Sequence, residues 1–110
     1  MPLNQNHKVL SLIGLSMKAG KLESGGFSTE KAVKSGNARL VIISREASGN
    51  TRKKFADMCA YRKIPCYVFG DKEELGHAMG KEFRATLAIT DENLAAALEA
   101  QLGLLKQPLA

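Results

Sequence analysis

The spacing of hydrophobic residues predicts an alternation of helices and strands along the chain. Apolar residues recur at helical spacing between Val9 and Met17, with Asn4 or Asn6 as a cap, and Gly20 favours a left-handed stop after this helix. Short apolar runs without that periodicity predict strands at 21–23, 39–44, 66–70 and 86–90. Capping residues and helical spacing predict further helices at 28–34, 51–63, 72–79 and 92–102.

This alternation predicts an α/β protein. Helices on both sides of a short apolar sheet form a three-layer α/β/α sandwich around a small mixed sheet with parallel pairs. A chain of 110 residues with 45% hydrophobic content fits one domain over 1–110, and we expect its core over 6–103 and a frayed tail over 104–110. The sequence shows no signal peptide and no apolar run of membrane-spanning length, so we expect a cytoplasmic protein without a membrane partner.

Positive charge is concentrated in the middle of the chain. The net charge is +5, but residues 31–63 carry nine basic and two acidic side chains, a net of +7, whereas residues 64–110 carry a net of −3. This polarised distribution favours a polyanionic partner that meets one side of the molecule. For any single cation, such as Lys53, the better interpretation is still that it only solvates the outer face of a helix.

Residue types that support catalysis or metal binding are sparse. Cys59 and Cys66 are too few and too widely spaced for a zinc site, and His7 and His77 add no ligand cluster, so we expect two buried, reduced thiols and no metal. No Ser-His-Asp arrangement, Cys-His arrangement or phosphate-binding glycine motif is present, and the carboxylates at 71–74 and 91–92 fit helix caps. We therefore expect no enzyme activity, no catalytic residue and no cofactor.

The segment 24–43 combines a glycine turn, a short basic helix and a buried strand. Gly25 and Gly26 allow another backbone to approach closely, and the helix that follows offers unpaired N–H groups and the positive end of its dipole to an anion. Lys31 and Lys34 add positive charge to this helix. The combination favours phosphate as the ligand.

Three segments together resemble one known family. The segment 24–43, the run Glu-Leu-Gly-His-Ala-Met-Gly at 74–80 and Leu-Ala-Ile-Thr at 87–90 have the order and spacing of the ribosomal L7Ae/L30e/S12e/Gadd45 superfamily, and are most similar to its bacterial YlxQ-like branch. The resemblance extends from about Val9 to about Leu102. It implies the α/β/α sandwich of that superfamily and non-enzymatic binding of a structured RNA, such as a kink-turn or a ribosomal RNA element.

The resemblance also implies where the RNA would bind. In the superfamily, the turn that opens the second helix grips a kink-turn, a sharply bent RNA element with tandem G·A pairs. This turn corresponds to Gly25, Gly26, Phe27 and Ser28, with Lys31 one helical turn later. Archaeal and eukaryotic members carry asparagine and glutamate in place of Phe27 and Ser28, and phenylalanine cannot hydrogen-bond a base edge. Phe27 either stacks on an unpaired base or completes the core, and the core is the slightly favoured interpretation.

A second contact surface implied by the resemblance is the loop 80–85, which in the family covers a flipped-out nucleotide. The candidate residues of this loop are Lys81, Glu82, Phe83 and Arg84. An aromatic ring beside a guanidinium group suits stacking on a base. The alternative, that Phe83 packs on its own sheet and Arg84 is merely solvated, has equal weight.

Arg45 and Glu46 directly follow the second predicted strand. We expect them at the same end of the sheet as the glycine turn, where they would contact the RNA backbone. As an alternative to RNA binding, the loss of asparagine and glutamate at the turn fits a protein-interaction adaptor, the role of other branches of the superfamily. We expect a monomer whose partner is a structured RNA, ribosomal RNA included, and which can be part of a ribonucleoprotein complex.

Overall fold

A computed structural model describes residues 5–109, and within this range five helices alternate with four strands as predicted. The helices are α1 (Gln5–Lys18), α2 (Gly26–Lys34), α3 (Gly49–Arg62), α4 (Lys72–Ala78) and α5 (Glu92–Gly103). The strands are β1 (Leu22–Ser24), β2 (Leu40–Ile43), β3 (Cys66–Val68) and β4 (Thr86–Ile89). Of the two caps proposed for α1, Asn4 lies outside the described residues and Asn6 lies inside the helix.

The four strands form one mixed sheet in the order β1-β4-β2-β3. Strands β2 and β3 are parallel, with Val41 opposite Cys66, whereas β4 runs antiparallel to both β1 and β2. The ends of β1, β2 and β3 therefore lie beside the start of β4. We call this end of the sheet, marked by Ser24, Ile43 and Thr86, the turn end. The opposite end, where β1, β2 and β3 begin, is the far end.

Both faces of the sheet are covered by helices, which confirms the three-layer α/β/α sandwich. Along β2, Leu40 and Ile42 pack with α1, α4 and α5, whereas Val41 and Ile43 pack with α2 and α3. All residues of β2 and β4 are buried, which explains why their sequences are continuous apolar runs. The α2–α3 side also contains the free thiols of Cys59 and Cys66, both fully buried as predicted.

Side-chain caps fix where several helices begin. Asp71 accepts a hydrogen bond from the Glu74 N–H (2.7 Å), and the Glu74 carboxylate accepts one from the Asp71 N–H (3.1 Å), which is the capping box expected from the sequence. Asp91 caps α5 through the Leu94 N–H. The predicted stop at Gly103 is wrong by one residue, because Gly103 is the last residue of α5.

The residues after α5 lie beside the open edge of the sheet. The Leu105 and Lys106 N–H groups donate to the Leu102 carbonyl, and the Leu109 N–H donates to the carbonyl of Cys66 in β3. Strand β3 is an edge strand, so this contact satisfies one of its unpaired backbone acceptors.

Candidate nucleic-acid interface

The glycine turn joins β1 to α2 at the turn end of the sheet. Gly25 adopts φ 92° and ψ 160°, a conformation that glycine tolerates and other residues rarely adopt. Its N–H donates to the Thr86 carbonyl (3.0 Å) and its carbonyl accepts from the Thr29 N–H (2.9 Å), which fixes the start of α2 against β4. Because glycine has no side chain, no side-chain cap satisfies the first N–H groups of α2.

The helix begins at Gly26, two residues earlier than the sequence predicted. A methyl group at Gly25 or Gly26 would contact no protein atom within 4 Å, so the space above the turn is open. The backbone conformation explains glycine at the first of these positions. Neither a positive φ nor a steric contact within the protein explains it at Gly26.

Phe27 is 81% exposed, so the interpretation that it completes the core is wrong. The buried face of α2 consists of Thr29, Ala32 and Val33, and Phe27 lies on the opposite face of this short helix. Lys31 follows Phe27 by one helical turn and is also exposed. Shallow grooves of about 210 and 490 Å³ flank these two residues, and Ser28 lines the smaller one.

The two predicted lysines of α2 differ in their surroundings. Within residues 5–109, Lys31 has no carboxylate within 4 Å, whereas the Lys34 Nζ lies 2.6 Å from a Glu30 oxygen. The other Glu30 oxygen lies 2.5 Å from the Lys54 Nζ. The hydrogen bond from Lys34, and after it the one from Lys54, lowers the pKa of Glu30 to about 2. Lys31 is therefore the less neutralised cation beside the glycine turn.

Arg45 and Glu46 lie at the turn end, as predicted, and both are exposed. The Arg45 Nη2 lies 3.8 Å from a Glu74 oxygen. The Glu46 carboxylate accepts a hydrogen bond from the Lys72 N–H (2.8 Å), so it caps the start of α4. This carboxylate already has a structural partner, whereas the Arg45 side chain remains 56% exposed.

The loop 80–85 is held against α4 by Gly76. A methyl group at Gly76 would lie 2.6 Å from the Glu82 carbonyl carbon and 2.8 Å from the Phe83 backbone nitrogen, which is closer than real contacts allow. The Lys81 N–H donates to the Gly76 carbonyl (2.7 Å) at the start of the loop. This close packing gives Gly76, the first glycine of the 74–80 run, a structural role that the sequence alone did not indicate.

The structure contradicts the alternative in which Phe83 packs on its own sheet and Arg84 is merely solvated. Phe83 is 58% exposed and does not pack back on the sheet. Arg84 is half-buried rather than solvated, because its Nε donates to the Ser24 Oγ (3.2 Å) and its Nη1 donates to the Phe83 carbonyl (2.8 Å). The guanidinium thus ties the loop to the end of β1, next to Gly25. Lys81 and Glu82 are exposed at the start of the same loop.

Two buried polar pairs hold the turn end together, and sequence reasoning missed both. The Thr86 Oγ1 donates to the Thr29 Oγ1 (3.2 Å) between β4 and α2, and both residues are fully buried. The Ser44 Oγ donates to the Gly70 carbonyl (3.3 Å) and its N–H donates to the Ala85 carbonyl (2.7 Å). A polar residue at a buried position of a helix or strand indicates a buried hydrogen bond, because buried polar groups need a partner. This signal can be recognised only when the buried face of the element is known.

The turn end therefore brings together the glycine turn, Lys31, Arg45 and the loop 80–85. Residues 5–109 contain no group of three or more potential metal ligands, and no helix in this range is long and apolar enough to cross a membrane. The site consists of open N–H groups, exposed aromatic rings and cations on a mixed α/β/α sandwich.

The sequence and the fold of this chain both point to one family. Residues 7–99 match the Ribosomal protein L7Ae/L30e/S12e/Gadd45 family, and the chain belongs to it. The suspected resemblance is thereby confirmed.

Individual relatives agree with this assignment. The chain is 38% identical over 84 residues to the RNA-binding protein YlxQ of Bacillus subtilis (strain 168), covering 76% of this chain and 84% of that protein. A solved structure of a protein with unknown function from Bacillus halodurans C is 38% identical with a TM-score of 0.85, covering 87% of this chain and 97% of that chain. The Giardia lamblia 15.5kD RNA binding protein has the same fold at 20% identity, with a TM-score of 0.79 and coverage of 94% and 89%.

The family and its YlxQ relative are named for ribosomal proteins and for RNA binding rather than for a catalytic activity. The chain therefore falls among non-enzymatic proteins, as the sequence predicted.

Proposed function

We propose that this protein binds a structured RNA at the turn end of its sheet, with a kink-turn or a ribosomal RNA element as the RNA class. The observation that carries the proposal is the glycine turn, where the first N–H groups of α2 lack a side-chain cap and the space above Gly25 and Gly26 is open. The similarity of this chain to the RNA-binding protein YlxQ of Bacillus subtilis supports the same proposal.

The contacts follow from the chemistry of each group. Uncapped N–H groups at a helix start bind phosphate or another acceptor, and Gly26 allows the RNA backbone to lie directly on the turn. The exposed Phe27 ring stacks on an unpaired base. Where other members of the family use an asparagine to hydrogen-bond a base edge, this ring makes a stacking contact that any base can accept. Lys31 contributes a charge-assisted hydrogen bond to a guanine edge or a phosphate.

The loop 80–85 supplies the second contact. Phe83 is exposed and lies next to Arg84, whose guanidinium is held by Ser24. A flipped-out nucleotide of a bulge stacks on Phe83, while Arg45 and Lys81 contact phosphates on either side. Glu46 and Lys34 contribute less, because each is engaged with a protein partner.

Binding measurements with two RNAs test this proposal. A stem with a tandem G·A bulge is compared with a plain duplex of the same length by fluorescence anisotropy at several salt concentrations. We expect tighter binding of the bulged stem and a dependence on salt that reflects the released counterions. Equal affinity for both RNAs would exclude kink-turn specificity, and no binding of either would contradict binding of a kink-turn at the turn end.

A protein-interaction adaptor is the second candidate, because exposed aromatic residues such as Phe27 and Phe83 also suit a protein partner. Purification distinguishes the two functions. An RNA-binding protein co-purifies with nucleic acid that RNase removes, whereas an adaptor elutes free of nucleic acid. We also propose that the protein is a monomer and that it is cytoplasmic. Two buried thiols that form no disulfide suit a reducing compartment.

A further inference from the structure

A second group of basic and aromatic residues lies at the far end of the sheet. Helix α3 begins near the turn end and finishes at the far end with Tyr61 and Arg62, followed by Lys63. Arg39 precedes β2 at the same edge, because the Val41 N–H donates to the Pro65 carbonyl (2.9 Å) and so holds the start of β2 beside the segment after α3. We call Arg39, Tyr61, Arg62 and Lys63 the far-end patch.

Tyr61 is the most exposed large hydrophobic residue of the described chain, at 83%. The guanidinium carbon of Arg62 lies 5.4 Å from the centroid of its ring, within the range of a cation–π contact. An exposed aromatic ring with a guanidinium group beside it is a surface on which an unpaired base stacks. Neither side chain contributes to the core, so packing does not explain the pair.

The cations of the far-end patch are not neutralised by neighbouring acids. Within the described part of the chain, Arg39, Arg62 and Lys63 have no carboxylate within 4 Å, and each is exposed. By contrast, Lys53 in the same helix is paired with Asp57 at 3.1 Å. The helix dipole favours cations at the end of α3, but it does not explain the exposed ring of Tyr61. Arg39 lies just before β2, and its Nη1 donates to the Gly36 carbonyl (2.9 Å), which holds the exposed guanidinium in place.

Lys63 is held in a backbone conformation that usually selects glycine. It has φ 58° and ψ 41°, and it is the only residue other than glycine with positive φ among residues 5–109. The chain uses glycine after α1, α2 and α4, where Gly20, Gly36 and Gly80 have φ between 71° and 82°. A lysine at the corresponding position after α3 keeps backbone strain that glycine would relieve, which indicates that its side chain has a use outside folding.

We propose that the far-end patch binds a single-stranded RNA segment that adjoins the structured element bound at the turn end. Tyr61 and Arg62 stack a base, while Lys63 and Arg39 contact its flanking phosphates. The path from Ser44 to Arg39 along β2 is about 17 Å at the usual rise of a strand. Helix α3 spans this distance, and its exposed Lys53 and Lys54 are paired with Asp57 and Glu30, so the unpaired cations lie in the far-end patch. This inference rests on the proposed function for the structured part of the RNA.

The test uses the full chain and two sets of RNA. One set contains the bulged stem alone, and the other contains the same stem with an oligouridine tail of increasing length. We expect wild type to bind the tailed RNA more tightly, and Tyr61→Ala to lose about 5- to 150-fold in affinity for it, the effect of one stacked base. The untailed stem should bind both proteins equally. Lys18→Ala is the matched control, because Lys18 is exposed at the end of α1, on the other face of the sheet.

Lys63→Gly separates binding from folding. The substitution relieves the backbone strain, so we expect its thermal midpoint to rise by a few degrees while its affinity for the tailed RNA falls. A residue needed only for the structure would lose stability instead. The salt dependence for the tailed RNA should also decrease by about 0.7 in slope, the contribution of one phosphate contact to a single strand.

Two results would overturn the inference. One is equal affinity of wild type for tailed and untailed RNA, and the other is a tail-dependent gain that Tyr61→Ala retains. If wild type did not bind the untailed stem, the proposed function would fail separately. Binding of free oligouridine would then test the far-end patch by itself. Binding that Tyr61→Ala weakens would support the patch, and no binding by wild type would contradict it.

Discussion

Replacing Gly26 with alanine separates the stability of this protein from its proposed RNA binding. Gly26 is the first residue of α2, its φ is not positive, and an added methyl group would meet no protein atom within 4 Å. Alanine loses less conformational entropy than glycine on folding, so Gly26→Ala should stabilise the free protein by about 0.4–1 kcal/mol. For a domain of this size, the thermal midpoint should rise by about 2–6 °C.

The RNA affinity should change in the opposite direction. If RNA backbone packs directly on the turn, the added methyl group overfills that contact and costs about 1–3 kcal/mol, or roughly 5- to 150-fold in affinity. Calorimetry and fluorescence anisotropy with the bulged stem measure the two effects. Gly103→Ala is the control, since Gly103 is helical and exposed, an added methyl group there meets no atom within 4 Å, and it lies in the other helix layer. Unchanged affinity of Gly26→Ala would refute the close approach of RNA to the turn.

Three further substitutions test other parts of the account. Gly76→Ala should destabilise the protein by about 1–3 kcal/mol by displacing the loop at Glu82, and a denaturation midpoint equal to that of wild type would contradict this packing. The pKa of Glu30 is lowered from 4.5 to about 2, so its contribution to stability is present above pH 4.5 and is lost as the pH falls to 2; urea midpoints of Glu30→Gln should therefore depend less on pH over this range. Phe27→Ala should leave stability within about 0.5 kcal/mol and weaken RNA binding by about 1–3 kcal/mol; unchanged anisotropy would show that the ring makes no stacking contact.

The layered fold was predictable because its signals are local. Two central strands are buried on both faces, and such strands are continuous apolar runs in any sequence. The Asp71–Glu74 capping box requires only two residues at a fixed spacing, and it formed as predicted. Arg45 lies at the same end of the sheet as the glycine turn because β1 and β2 both run antiparallel to β4 and therefore end on the same side.

The details of the site were harder to predict because they depend on tertiary contacts. Helix α2 is only nine residues long, so its apolar positions did not fix which face is buried, and Phe27 was assigned to the wrong face. The carboxylate of Glu46 caps a helix 26 positions away in sequence. Arg84 bonds Ser24 across 60 positions, which no local pattern encodes. Side chains of a candidate site can be proposed from sequence, but their partners require the fold.

The central claim is that the uncapped N–H groups of the glycine turn lie directly against RNA. Amide hydrogen exchange of the protein, with and without the bulged stem, tests it most directly. We predict that the amides of Gly26, Phe27 and Ser28 exchange more slowly in the complex, whereas amides on the outer face of α5 do not change. Tight RNA binding with no protection at these three amides would contradict the claim.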